Sequence, residues 1–138
     1  GKIQVTSYGA TFNDVKNSGE ISVAGTIASN GTVTNSNFIC SNNDGKFAKL
    51  FNSGVVSVSF LSKGTSSAIV NNANGVIEVF GGNSSTVSNI TTLDNSGDFV
   101  SNKEINVSGD MTSLSASVNQ QQAILQIQAR FTITAVLL

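Results

Sequence analysis

The chain has 138 residues, a formal net charge of −1 and 11% charged residues, against roughly 25% in ordinary soluble domains; of its seven Lys and Arg, only Lys46 and Lys49 stand close together, so the cation cluster of a nucleic-acid surface is excluded. Ser, Thr and Asn make up 50 of the 138 residues, but 39% hydrophobic content in alternating runs argues against disorder. With no His and one Cys, disulfides within the chain, thiolate metal clusters and His-assisted nucleophiles are excluded, and no apolar run reaches the ~18 residues of a membrane helix.

Taken in order, the chain reads as short strands separated by Asn, Ser and Gly. Ile3 and Val5 alternate with Lys2, Gln4 and Thr6, as in a strand with one buried face. Ile21, Val23 and Ile27 repeat the pattern beyond Gly19, with Gly25 a bulge or corner. Ile39 and Cys40 read as buried strand, where a free Cys behaves as a small hydrophobe. Asn42-Asn-Asp-Gly45 is a loop, followed by strands over 47–51 and 55–61, the second rich in β-branched and aromatic residues. Shorter strands are predicted over 68–70, 76–80, 87–90, 99–100 and 105–107. Proline is absent, which leaves every backbone N–H free to join a ladder.

A turn residue, then Gly, then an apolar residue two positions on recurs at Gly31, Gly54, Gly75 and Gly97. With Gly9 these glycines are spaced by 22, 23, 21 and 22 residues. A period near 22 is the size of one coil of a β-solenoid, in which no coil buries its apolar face alone. The fold expected is therefore all-β, a β-solenoid of about five ~22-residue coils with these four glycines at equivalent corners. An antiparallel β-sandwich or jelly roll is the alternative, since Asn-Gly between alternating runs is also a hairpin signal. Asn17-Ser-Gly19 is an equally good copy of the motif, standing 35 residues before Gly54 and outside the series.

The repeat signals cover residues 1–122. Over 123–138 they stop, and Leu125, Ile127, Ala129, Phe131, Ile133, Ala135 and Leu137 alternate with polar residues, as one long amphipathic strand would. A helix over 114–125 is the competing local reading. A long strand of low charge either covers its own domain or pairs with a neighbouring subunit. Leu125, Ile127, Phe131, Ile133 and Leu137 are accordingly the candidate assembly residues.

Other candidates carry less. Asp94, Asp98, Asn43 and Asp44 place oxygen ligands in turns without the spacing of a calcium loop. Asp14, Glu20, Glu78 and Glu104 offer carboxylates, but the sequence gives no reason for any two to converge at glycosidase distance. Asn30, Asn83, Asn89 and Asn106 each begin an Asn-x-Ser/Thr sequon. Thr32/Thr34 and Thr132/Thr134 are too few for a flat threonine array. No cofactor is expected.

Ile69-Val-Asn-Asn-Ala-Asn-Gly-Val-Ile-Glu-Val79 and Thr92-Leu-Asp-Asn-Ser-Gly-Asp-Phe99 resemble the Asn/Gly-punctuated coils of β-helical bacterial surface proteins of the haemagglutinin and autotransporter-passenger type, over residues 17–111. The resemblance implies an extracellular, adhesive or scaffolding role and supplies no catalytic residues. The expectation is a non-enzymatic structural subunit at the cell or virion surface that self-assembles with copies of itself through β-strand contacts into a filament, fibre or sheath. The alternative is a binding module, such as a carbohydrate adhesin, with a surface glycan as partner, or a virion decoration protein.

Overall fold

A computed structural model describes residues 1–62, 67–80, 87–102, 105–113, 117–118, 125–127 and 131–133. The first coil holds β1 (Lys2–Val5), β2 (Ala10–Phe12) and β3 (Val15–Asn17), and the second β4 (Glu20–Val23) and β5 (Ile27–Asn35). The third holds β6 (Phe38–Ser41) and β7 (Asp44–Asn52), and the fourth β8 (Val55–Val58), β9 (Phe60–Leu61) and β10 (Ala68–Asn71). β11 (Val76–Val79), β12 (Ser88–Ile90) and β13 (Thr92–Asn95) make the fifth; β14 (Asp98–Ser101), β15 (Ile105–Val107) and β16 (Met111–Ser113) the sixth. β17 (Ser117–Val118), β18 (Leu125–Ile127) and β19 (Phe131–Ile133) form the last row.

Each strand pairs in parallel with its counterpart one coil away. That is a β-solenoid, and it rules out the antiparallel sandwich. The first sheet runs β1-β4-β6-β8-β11-β14-β17, and the second runs from β2 and β3 through β5, β7, β10, β13 and β16 to β19. β12, β15 and β18 form a third sheet. The backbone N–H of Leu61 in β9 donates to Ser88 Oγ at the head of β12 (2.9 Å), which links this third sheet to the coils before it. Among the described residues there is no helix.

Stacking in register turns the period-two pattern into columns. Ile21, Ile39, Val56, Ile77 and Phe99 stack inside the first sheet, and Val33, Leu50, Ile69, Leu93 and Met111 inside the second, all fully or nearly fully buried. Burying each such side chain contributes roughly 1.5–3 kcal/mol, and like side chains meet at one level because adjacent strands lie only about 4.8 Å apart. No coil could do this alone.

Four features differ from the sequence expectations. First, the corner glycines in register are Gly19, Gly54, Gly75 and Gly97, with Asn37 in the same column. This follows from the pairing of Glu20 with Phe38, Phe38 with Val55, Val55 with Val76 and Val76 with Asp98. Gly31 is not among them: it lies inside β5, where the register with β7 shifts between Ser29 and Thr32. Gly19 stands 35 residues before Gly54 because two short coils, of 18 and 17 residues, separate them. The next two coils measure 21 and 22 residues along the same column, Gly54 to Gly75 and Gly75 to Gly97.

Second, the loop read over 42–45 is shorter, since Asp44 and Gly45 already belong to β7. Third, Cys40 is half-buried on the outer face, its Sγ 3.4 Å from Ser22 Oγ, because the alternation that turns Ile39 inward turns Cys40 outward. Fourth, the alternation over 125–137 does not map to one sheet: 125–127 pairs with β15 in the third sheet and 131–133 with β16 in the second. Alternation resumes after each corner of a coil, so it does not show where a strand passes from one face to the next.

Candidate assembly surface

At the corner between the second sheet and the first, every coil from the first to the fifth ends its last strand in Asn. Asn17, Asn35, Asn52, Asn71 and Asn95 share one inward column, and all five are buried. Buried carboxamides demand partners, and these find them along the solenoid axis. Nδ2 of Asn17 donates to Oδ1 of Asn35 (2.8 Å), Asn35 to Asn52 (2.9 Å), Asn52 to Asn71 (2.9 Å) and Asn71 to Asn95 (2.9 Å).

The same amides also lie within hydrogen-bond distance of the turn carbonyl that follows and of a carbonyl in the next coil, as Asn52 does with Gly54 O (3.0 Å) and Val76 O (3.1 Å). In return, the N–H of Gly19, Asn37 and Gly54 donates to the Oδ1 of the Asn two residues earlier. The column therefore fixes each turn and ties it to its neighbour. In backbone register Asn95 is followed by Ser113 and then Ile133.

A second polar column stands at another corner. The hydroxyls of Thr26 and Ser62 both donate to the buried carboxylate of Asp44, the second at 2.5 Å. Asp44 is thus held from the coils on either side rather than turned toward a ligand.

In the first coil, among the described residues, β1 pairs only with β4, and β2 and β3 only with β5. Ile3 is 46% exposed, whereas Ile21, which pairs with it, is buried. Val5, Ala10, Phe12 and Val15 are only half-buried against the core.

The assembly residues read from the sequence sit toward the opposite end. The backbone of Leu125 and Ile127 pairs with Ile105 and Val107, and that of Phe131 and Ile133 with Met111 and Ser113; Leu137 lies outside the described residues. The sequence reading did not single out the Asn column, although its signal is present: an apolar residue, any residue, then Asn, at Val15-Lys-Asn17, Val33-Thr-Asn35, Leu50-Phe-Asn52, Ile69-Val-Asn71 and Leu93-Asp-Asn95.

The remaining candidates do not converge. Glu20 and Glu78 both face outward on the first sheet but lie three strands apart, about 14 Å at the usual strand spacing, and Glu20 is engaged by Lys2 at 3.1 Å. Asp14 belongs to a different face, where its Oδ1 accepts the N–H of Thr32 (2.8 Å). Glu104 and Asn83 lie outside the described residues. Asp94 and Asp98 are exposed on either side of the buried Asn95, and among the described residues no three His, Cys, Asp or Glu side chains are grouped to hold a metal. Asn30 is exposed, while Asn89 and Asn106 stack in register with Asn106 Nδ2 donating to Asn89 Oδ1 (3.2 Å). Thr32 and Thr34 lie on β5, Thr132 pairs with Thr112, and Thr134 lies outside the described residues. Lys49 sits over the Phe51 ring, 4.9 Å from its centroid. No helix among the described residues is long and apolar enough to cross a membrane.

In comparisons with protein-family models, curated proteins and solved structures, nothing matches the chain. The fold and surface geometry therefore carry the functional argument alone.

Proposed function

We propose that this chain is a non-enzymatic structural subunit that assembles through β-strand contacts, with subunits of its own build and in the simplest case copies of itself, into an extracellular filament, fibre or sheath. The observation that carries this reading is the in-register parallel stack itself, in which each coil buries its apolar columns only against its neighbours. The same strand pairing between subunits would form ladder hydrogen bonds and bury apolar side chains, each large one contributing roughly 1.5–3 kcal/mol when fully buried. A low-charge surface of hydroxyls and amides suits close packing of subunits, because dense like charge would oppose it. Negative-stain electron microscopy of the purified chain across a concentration series tests this. Regular polymers that lengthen with concentration are expected; a chain that stays monomeric throughout would overturn it.

A second reading, a carbohydrate-binding module, is favoured by one observation. An open groove of about 470 Å³ runs along Asp14, Val15, Lys16, Thr32 and Thr34 on the outer face of the first two coils. Its two hydroxyls, one carboxylate and one ammonium suit a polar ligand. Glycan-array binding that is lost in a Lys16→Ala, Thr34→Ala variant would support it.

A further inference from the structure

The outer faces of the two long sheets differ in what covers their apolar side chains. On the second sheet the outward aromatic, Phe51, lies beneath the Lys49 ammonium, 4.9 Å from the ring centroid. On the first sheet one outward column reads Lys2, Glu20, Phe38, Val55, Val76 and Asp98 in successive strands. Phe38, Val55 and Val76 form a half-buried apolar stripe across three adjacent strands, and the exposed Lys2 and Asp98 stand at its two ends with opposite charge. An apolar stripe with a polar rim marks a contact surface.

A column in this order is complementary to its own reverse. A twofold axis running along the strands, between β6 and β8, brings the partner's Asp98 opposite Lys2 and the partner's Val55 opposite Phe38. The partner's Val76 comes opposite Glu20, whose carboxylate Lys2 engages at 3.1 Å. In the neighbouring outward column the same axis sets the Ser22 hydroxyl opposite the partner's Glu78 carboxylate, and Cys40 opposite the partner's Ser57. Each pairing occurs twice, as an isologous contact requires. Charge fixes the register: with the axis moved onto β8, Glu20 meets the partner's Asp98, and with it moved onto β6, Lys2 meets the partner's Val76.

We propose that the outer face of the first sheet is a pairing surface for a second copy of this chain, packed face to face about that axis with the two solenoid axes antiparallel. Six strands of four residues each give a footprint of about 13 Å by 24 Å, roughly 300 Å² per copy. The two copies together bury about 600 Å², against the roughly 1,200 Å² of a stable complex. A single pair is therefore weak, and the contact gains strength by repetition along joined chains. This rests on the assembly reading for that repetition and adds to it a lateral contact, separate from the strand ladders, that binds one stack of coils to another.

Cys40 is the chain's single cysteine, so a link between two Cys40 thiols always joins two chains. In the proposed pair their backbones lie about 11 Å apart, from a sheet spacing of about 10 Å and an offset of one strand. In an end-to-end stack they lie a whole chain apart, at least about 34 Å for the seven strands of the first sheet. The test treats the full 138-residue chain at high concentration with a short homobifunctional maleimide and reads the covalent dimer on a denaturing gel, with a monofunctional maleimide as the control for thiol reactivity. Val55→Lys, in the middle of the stripe, is expected to lower the dimer yield at least tenfold. Asp98→Lys, which faces the partner's Lys2, is expected to lower it as well, and the exchange Lys2→Asp with Asp98→Lys to restore it. Lys2 and Asp98 stand about 24 Å apart within one chain, so that rescue can come only from a second chain. No covalent dimer, equal yields from the parent and Val55→Lys, or an exchange that restores nothing would overturn the proposal. Microscopy scores polymers separately: polymers without the cross-link sink the lateral contact alone, and the cross-link without polymers upholds the contact and sinks the assembly reading.

Discussion

Replacing Asn52 by Ala removes the middle rung of the Asn column, and the cost follows from the groups left behind. Asn52 is fully buried; it accepts from Asn35 Nδ2 (2.9 Å) and Gly54 N (3.2 Å) and donates to Asn71 Oδ1 (2.9 Å). In the variant, Asn35 Nδ2 keeps the carbonyls of Asn37 and Val55, but Gly54 N and Asn71 Oδ1 lose these partners in a site that excludes water. A buried polar group left unsatisfied costs about 1–3 kcal/mol, so two of them set the loss at about 2–6 kcal/mol. Against a total stability of roughly 5–15 kcal/mol this is a large fraction, and it corresponds to a Tm lowered by roughly 10–20 °C for a chain of this size. The matched control is Asn37→Ala, at an exposed turn position whose side chain donates only to Ser18 O (3.2 Å); it should change stability by no more than about 0.5 kcal/mol. Urea unfolding followed by far-UV circular dichroism separates the two. An Asn52→Ala protein within about 1 kcal/mol of the parent would mean that the column does not hold the coils together.

Two further outcomes follow from packing. A Cβ on Gly54 would stand 2.2 Å from the backbone oxygen of Asn37, whereas on Gly31 the nearest atom is a side-chain oxygen, Oδ1 of Asp14, also at 2.2 Å; thermal melts should show Gly54→Ala clearly more destabilising than Gly31→Ala, and equal losses would place the true corner elsewhere. Leu50→Ala, between Val33 and Ile69 in the second sheet's inward column, should cost about 2–5 kcal/mol in chemical denaturation, and a loss below about 1 kcal/mol would contradict its burial.

The class of fold was legible because alternation and Asn/Ser-Gly corners are local chemistry. Residues such as Ile21, Val56 and Ile77 turn inward through nothing more than the pleat, and the absence of Pro leaves the ladders intact. The coil length was harder to read from glycine, because the corner at Asn37 has no Gly while Gly31 lies within a strand. Asn was the better landmark, since its role demands a partner in the next coil and so fixes one rung per turn. Cys40 was misplaced by a single step of the alternation, the smallest error a strand allows and enough to move a side chain from core to surface. The difference in burial between Ile3 and Ile21 could not be seen in sequence at all: the two are alike as letters, and Ile21 is buried by its place between Ile3 and Ile39 in the stack.

Distances along one outward column test the stacking most directly. Gln4, Ser22, Cys40, Ser57, Glu78 and Val100 occupy equivalent positions on the outer face of successive strands of the first sheet. Spin labels placed in pairs on a Cys40→Ser background, from Gln4 to Ser57, Glu78 and Val100 in turn, should report distances that grow by about 4.8 Å for each coil crossed, reaching about 24 Å at Val100. Distances that fail to rise in sequence order, or that shorten again at Glu78 or Val100, would contradict a stack of parallel coils.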